Sequence, residues 1–76
     1  MKQFDMVLNS INDVKDFVNT VSKYDFDVDL ASRRYVVDAK SIMGIFSLNL
    51  SKPIAVTVHS DDCDTFVSEI ERFIVK

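Results

Sequence analysis

Hydrophobic residues along this chain follow two spacings, one typical of strands and one typical of helices. Near the start every second residue is hydrophobic, which predicts a strand whose buried face consists of Phe4, Met6 and Leu8. After Ser10 the spacing changes and predicts a helix. Its buried stripe would consist of Ile11, Val14, Phe17, Val18 and Val21. Ser10 is a favourable N-cap because its hydroxyl can accept a backbone N–H of the first turn.

A second alternating region predicts two further strands. Their core-facing residues would be Phe26, Val28 and Leu30 in one strand and Tyr35, Val37 and Ala39 in the next. Ser32 and Arg33 can turn the chain between the two runs, so we predict that these strands form a hairpin. The turn lacks the Asn-Gly or Asp-Gly pair that is typical of two-residue hairpin loops.

A short apolar segment, residues 41–48, separates the hairpin from the fourth strand. We predict a helix of two turns there, with Ser41 as its N-cap and Asn49 as a left-handed C-cap residue. Pro53 opens the fourth strand, at a position where its missing N–H costs least. The buried face of that strand would consist of Ile54, Val56 and Val58.

The last segment again has helical spacing. Its hydrophobic stripe consists of Cys63, Phe66, Val67, Ile70, Phe73 and Ile74. We predict a helix capped by Ser60, with the acidic residues Asp61, Asp62 and Asp64 near its positive end.

The predicted element order is β-α-β-β-α-β-α, within one domain that spans residues 1–76. The simplest packing of these elements is an α+β fold, an open-faced β-sandwich. It has a four-stranded, mostly antiparallel sheet with three helices on one face. The other face would stay in contact with water, and it carries Asp5, Asp27, Asp29 and Thr57. A fold of this kind does not specify a function.

Composition excludes several classes of protein. The net charge is −3, and Arg33-Arg34 is the only basic pair, so a nucleic-acid binder is not expected. No run approaches the roughly 18 apolar residues that span a bilayer, and residues 1–5 are not an apolar signal segment. Cys63 is the only cysteine, so it has no partner for an intramolecular disulfide. These features predict a cytoplasmic protein that contacts no membrane.

No set of residues has the spacing of a catalytic, metal or cofactor site. The only histidine, His59, would lie roughly 20 Å from Ser10 across an antiparallel sheet, which excludes a dyad of these two residues. The three aspartates near residue 62 are better explained by helix capping than by metal binding. A single glycine, Gly44, cannot form a phosphate loop, and Cys63 is expected to be a buried thiol. We therefore predict no enzyme activity, no metal and no cofactor.

Ser41 and the segment after it have two interpretations. A phosphoryl group on an N-cap serine would meet free backbone N–H groups, the positive end of the helix dipole and the neighbouring Lys40. The alternative is a plain N-cap. Because a helix this short cannot bury all its apolar residues, part of Ile42, Met43 and Phe46 should be exposed as a docking patch. Otherwise Ile45, Phe46 and Leu48 simply fill the core.

Two segments closely resemble a known family. Residues 40–48, KSIMGIFSL, resemble the regulatory-site segment of HPr, the small phosphocarrier of the bacterial sugar phosphotransferase system. Residues 21–28, VSKYDFDV, look like the end of the family's first helix and its second strand. The interval between the two segments fits the family without a gap. The element order also matches that of HPr along essentially the whole chain.

The family's histidine motif is absent from this sequence. In HPr proteins a histidine within Gly-x-His-Ala-Arg-Pro accepts a phosphoryl group from enzyme I, and this motif falls on residues 8–13, LNSIND. Ser10 occupies the histidine position and Asn12 the arginine position. A serine ester is a poor phosphoryl donor, and Asn12 lacks the guanidinium that would hold the group. Asp13 adds a repelling charge. We predict that the protein is not a histidine phosphocarrier and that enzyme I is not its donor.

The resemblance implies a regulatory role for Ser41. In this family a kinase/phosphorylase modifies the corresponding serine, and the product binds a transcriptional regulator or a metabolic enzyme in carbon catabolite regulation. Ile42, Met43 and Phe46 would form the docking surface. The alternative is an unphosphorylated HPr-fold interaction module that uses the same patch. A third possibility is residual phosphocarrier activity through Ser10 or His59.

Overall fold

The computed structural model describes residues 1–32, 35–48 and 50–75. These residues form four strands, three α-helices and one short 3₁₀ helix. In chain order they are β1 (Lys2–Met6), α1 (Ile11–Val21), β2 (Val28–Ser32), β3 (Tyr35–Asp38), α2 (Ile42–Phe46), β4 (Ile54–Val58), α3 (Asp64–Glu69) and the 3₁₀ helix (Glu71–Phe73). The order of α-helices and strands is the predicted one. None of the described helices is long and apolar enough to cross a membrane.

The strands form one antiparallel sheet in the order β1-β4-β2-β3. Hydrophobic residues of β1, β4 and β2 lie side by side, since Phe4 pairs with Val56 and Val56 pairs with Leu30. The helices cover this face and bury it, which confirms the predicted open-faced sandwich. Beyond β1, the N–H of Val75 bonds the carbonyl of Asp5 and the N–H of Val7 bonds the carbonyl of Phe73. The chain after the 3₁₀ helix therefore covers this edge of the sheet.

The first helix forms as predicted except at its first residue. Ser10 is its N-cap, and the Ser10 hydroxyl accepts the N–H of Asp13 at 3.1 Å. The residues on the buried side are Val14, Phe17 and Val21. Ile11 was predicted to belong to this stripe, and that is wrong, because its side chain is 63% exposed. Ile11 begins the helix and lines an open surface groove instead of packing over the sheet.

The hairpin pairs Ser32 with Tyr35, so the connection falls on residues 33 and 34, which lie outside the described residues. Tyr35 was expected to face the core but is 68% exposed. It is the first residue of β3, an edge strand of the sheet, and it pairs with Ser32 next to the hairpin connection. Val37 is half-buried and Ala39 is buried, as their positions predict.

The last helix begins later than predicted. Ser60 is not its N-cap, because the helix starts at Asp64 and Cys63 is the residue before it. The hydroxyl of Ser60 instead accepts the N–H of Asp62 at 3.2 Å, which makes a local turn after β4. The helix also ends early, so Phe73 is buried from the 3₁₀ helix that follows. Cys63 is buried, as expected for a structural thiol.

Candidate functional site

Ser41 lies at the surface, at the beginning of α2. Its backbone is extended and is held on both sides, since its N–H donates to the carbonyl of Asp38 and its carbonyl accepts the N–H of Ile45, each at 3.0 Å. Its hydroxyl oxygen accepts the N–H of Gly44 at 3.2 Å, which confirms the predicted N-cap. The side chain is exposed, so the hydroxyl can be approached from solvent.

Gly44 keeps space free beside the Ser41 hydroxyl. A Cβ atom at position 44 would lie 3.1 Å from Ser41 Oγ and 3.2 Å from Val37 Cβ. Both distances are tighter than most contacts of real Cβ atoms. Any larger residue would therefore crowd the hydroxyl against β3.

The end of α2 differs from the prediction. The helix ends at Phe46, and Ser47 is its C-cap with right-handed backbone angles. Asn49, predicted as a left-handed C-cap, lies outside the described residues. Among the apolar side chains of this segment, Ile45 and Leu48 are buried in the core, and Ile42 is half-buried against it.

Met43 and Phe46 form an exposed apolar patch next to Ser41. Met43 is 76% exposed and Phe46 is 40% exposed. Ile45 and Leu48 therefore fill the core as one interpretation of the segment predicted, but Met43 and Phe46 remain available for contact. Exposed apolar residues that lie together are typical of surfaces that bind partners.

A shallow groove of about 400 Å³ separates the start of α1 from the end of α2. Its lining residues are Leu8, Asn9, Ser10, Ile11, Phe46, Leu50 and Ser51. Phe46 thus belongs both to the lining of the groove and to the apolar patch that it forms with Met43. The sequence pattern gave no sign of the groove, because the spacing of Ile11 placed it on the buried stripe.

Lys40 contacts the protein backbone instead of the Ser41 hydroxyl. Its ammonium nitrogen, Nζ, donates to the carbonyl of Tyr24 at 2.9 Å, in a partly buried position. Its backbone N–H donates to the Asp38 carboxylate at 2.8 Å. The sequence placed Lys40 beside a phosphoryl group on Ser41. In the unmodified chain this cation instead joins the segment before α2 to the connection between α1 and β2.

The connection that Lys40 reaches is itself firmly packed. The Tyr24 ring stacks on Phe26 with centroids 5.2 Å apart and meets Phe66 edge-on at 5.3 Å. The Tyr24 hydroxyl donates to Glu69 at 3.1 Å. The pKa of Tyr24 is raised, first by burial and then by the hydrogen bond and the charge of Glu69, so this phenol stays protonated at neutral pH.

His59 and Ser10 lie at opposite ends of the sheet. The register pairs Lys2 with Val58 and Met6 with Ile54, so His59 follows one end of β4 while Ser10 lies beyond the other. His59 Nε2 is 2.8 Å from the carboxylate of Asp29. Within residues 1–32, 35–48 and 50–75, no group of three or more His, Cys, Asp or Glu side chains could hold a metal ion.

Comparisons with known proteins identify the family and the fold. A protein-family model described as "PTS HPr component phosphorylation site" matches residues 13–76. The solved structure of HPr-C-His from Thermoanaerobacter tengcongensis is similar, with a TM-score of 0.79 and 25% identity over 95% of this chain and 89% of that chain.

Two further structures share the fold at lower identity. The histidine-containing phosphocarrier protein from Mycoplasma has a TM-score of 0.75 and 14% identity over 93% of this chain and 89% of its own. The phosphocarrier protein HPr from Bacillus anthracis has a TM-score of 0.68 and 22% identity over 97% of this chain and 94% of its own. With a family match over most of its length and the same fold, this chain belongs to the HPr family.

Proposed function

We propose that this chain is a regulatory HPr-family protein that is phosphorylated at Ser41 and does not carry phosphoryl groups on a histidine. The observation that carries the proposal is the exposed Ser41 hydroxyl at the start of α2, within the segment that resembles the family's regulatory site. The modifying enzyme would be an HPr kinase/phosphorylase that uses ATP. This assignment places the protein in the cytoplasm.

The modification is a simple phosphoryl transfer. A bond forms between Ser41 Oγ and the γ-phosphorus of ATP, the bond from that phosphorus to the β,γ-bridging oxygen breaks, and ADP leaves. The hydroxyl proton passes to a base on the kinase. Because the hydroxyl only accepts from Gly44 in the described contacts, this reaction requires no unfolding of α2. The chain itself supplies the acceptor and needs no cofactor.

The apolar patch beside Ser41 supplies a surface for the proteins that act on it. Met43 and Phe46 are exposed, and Ile42 is partly exposed at the start of the same helix. A kinase could dock here, and so could a transcriptional regulator or metabolic enzyme that binds the phosphorylated form. Phosphorylation adds charge and three strong acceptor oxygens next to this patch, which changes the surface that a partner meets.

Several features argue against phosphoryl transfer through the start of α1. The Ser10 hydroxyl caps α1, and the Asp13 carboxylate accepts the N–H of Asn9 at 3.0 Å, which holds a negative charge at this end of the helix. A phosphoryl dianion approaching Ser10 would be repelled, and a serine ester formed there would not pass its phosphoryl group onward readily.

We therefore expect no labelling by enzyme I and phosphoenolpyruvate. Neither Ser10 nor His59 should accept the group. The Ser10 hydroxyl caps α1 beside the Asp13 carboxylate. The His59 ring contacts the Asp29 carboxylate at the opposite end of the sheet from Ser10. The measurement is intact mass after incubation with both reagents. A histidine-bearing HPr, labelled in parallel, is the positive control. Any phosphoryl group added to this chain would disprove the expectation, whether it is acid-labile, as on histidine, or acid-stable, as on serine.

A second candidate function is an HPr-fold interaction module that is never phosphorylated. It is favoured by the apolar patch, since Met43 and Phe46 are exposed without any modification, and by the groove that Phe46 shares with Ile11. The two functions differ in one respect that is easily measured. Incubation with ATP and the kinase/phosphorylase of the same organism should add one phosphoryl group at Ser41 under the first proposal and none under the second.

A further inference from the structure

We propose that Lys40 transmits the phosphorylation of Ser41 to the connection between α1 and β2. In the unmodified chain, Lys40 Nζ donates to the carbonyl of Tyr24 at 2.9 Å. On phosphorylation the ammonium leaves this carbonyl and pairs with the phosphoserine. The inference rests on the proposed function, because it describes what modification of Ser41 does to the rest of the chain.

The two possible partners of the ammonium differ in charge. The Tyr24 carbonyl is a neutral acceptor, whereas phosphoserine is close to a dianion at neutral pH and offers three acceptor oxygens. The bond to the Tyr24 carbonyl has one ionised partner, whereas both partners are ionised in a bond to phosphoserine, so Coulomb attraction between the two charges adds to the hydrogen bond. Lysine also has a flexible four-carbon stem, so its ammonium can turn toward a new partner while its backbone stays in place.

The backbone around Ser41 keeps Lys40 close to the new charge. The N–H of Lys40 is held by the Asp38 carboxylate, and the N–H of Ser41 is held by the Asp38 carbonyl. These bonds fix residues 38–41 as one turn. The Asp38 carboxylate is a negative charge three residues before the phosphoserine, so repulsion between the two adds to the demand for a neutralising cation. Lys40, directly adjacent to Ser41, is that cation.

When the Lys40 ammonium leaves the Tyr24 carbonyl, the backbone of the connection loses a hydrogen bond, but the side chains of the connection keep their contacts. The Tyr24 ring stays anchored by Phe26, Phe66 and the hydroxyl bond to Glu69. The Tyr24 carbonyl, however, gives up its charged donor. The peptide between Tyr24 and Asp25 therefore reports the state of Ser41, although this peptide is 16 residues away from Lys40 along the chain. A partner that contacts this connection could thus distinguish the two states without touching the phosphate.

The test uses a chain made by chemical synthesis, with serine or phosphoserine at position 41 and isotopes in the Tyr24 carbonyl and the Asp25 amide. Phosphoserine should shift both NMR resonances. Unphosphorylated Lys40→Met should show the same shifts, because methionine keeps most of the stem but has no donor. Adding phosphoserine to Lys40→Met should produce no further change. Lys23→Met, which removes an exposed lysine next to Tyr24, should respond to phosphoserine as the unaltered chain does.

The unaltered chain alone can overturn the inference. If its Tyr24 and Asp25 resonances are the same with serine and with phosphoserine, Lys40 does not move. If phosphoserine shifts them equally in Lys40→Met, the signal travels by another route. Because phosphoserine is installed chemically, failure of the kinase to modify Ser41 would count against the proposed function and leave this result unaffected.

Discussion

Phe66→Ala should lower the free energy of unfolding by about 3–5 kcal/mol, the cost of removing a large aromatic side chain from a packed core. Phe66 is fully buried, and its ring lies 5.3 Å from Tyr24, 5.6 Å from Phe26 and 6.4 Å from Phe17. It joins α3 to α1 and to the connection before β2. Alanine would leave a cavity at the point where these elements meet.

The effect should be large relative to the stability of so small a protein. A chain of 76 residues is stabilised by only about 4–11 kcal/mol in total. The melting temperature should therefore fall by at least about 12 °C. Urea unfolding followed by circular dichroism measures the change. Thr65→Ala, an exposed change at the neighbouring position, should stay within about 0.5 kcal/mol of the unaltered protein. A loss below about 1 kcal/mol for Phe66→Ala would show that the aromatic cluster is not the centre of the core.

The double variant Met43→Ala, Phe46→Ala should reduce kcat/KM for phosphorylation of Ser41 at least about 30-fold, which corresponds to about 2 kcal/mol of lost docking energy. These two side chains form the exposed apolar patch beside the modified serine. Alanine removes their contact surface, adds no charge near the phosphoryl group and favours the helix. The initial rate of phosphorylation at low substrate concentration measures the change.

A matched control is available at the start of β3. Tyr35 and Val36 are 68% and 65% exposed on β3, so Tyr35→Ala, Val36→Ala removes a comparable apolar surface that does not include Met43 or Phe46. This variant should be phosphorylated at the rate of the unaltered protein. Circular dichroism verifies that both double variants are folded. Equal losses of rate in the two would mean that the kinase does not dock on Met43 and Phe46.

Local pattern predicted most of the fold, because each element here follows a clear hydrophobic period. The N-caps at Ser10 and Ser41 were also predictable, since each serine directly precedes a change to helical spacing and each hydroxyl accepts an N–H of the first turn. The start of α3 could not be predicted in this way. Ser60 stands three residues too early, and the hydrophobic spacing from Cys63 onward does not reveal where the backbone first becomes helical.

Burial at the ends of elements depends on information that local spacing lacks. Ile11 and Tyr35 have the correct period for the core, yet both are exposed, and each is the first residue of its element. The period of a segment gives the face of a residue but not the extent of the layer that covers it.

Only those features of the candidate site that depend on neighbouring residues could be predicted from the sequence. The exposure of Met43 and Phe46 followed from the shortness of the segment, whereas Ser41 followed from its N-cap position and from the family resemblance of residues 40–48. The bond from Lys40 to Tyr24 joins residues far apart in the chain, so no local pattern could indicate it.

The central claim is that Ser41 is the one residue modified, and intact mass with three chains tests it most directly. The unaltered protein, Ser41→Ala and Ser10→Ala are each incubated with ATP and the HPr kinase/phosphorylase of the same organism. The unaltered protein and Ser10→Ala should gain one phosphoryl group, and Ser41→Ala should gain none. Each alanine should cost only about 0.5–2 kcal/mol as a lost N-cap, so all three chains remain folded. A phosphoryl group on Ser41→Ala would contradict the account, as would an unmodified natural chain beside a histidine-bearing HPr that is modified in parallel.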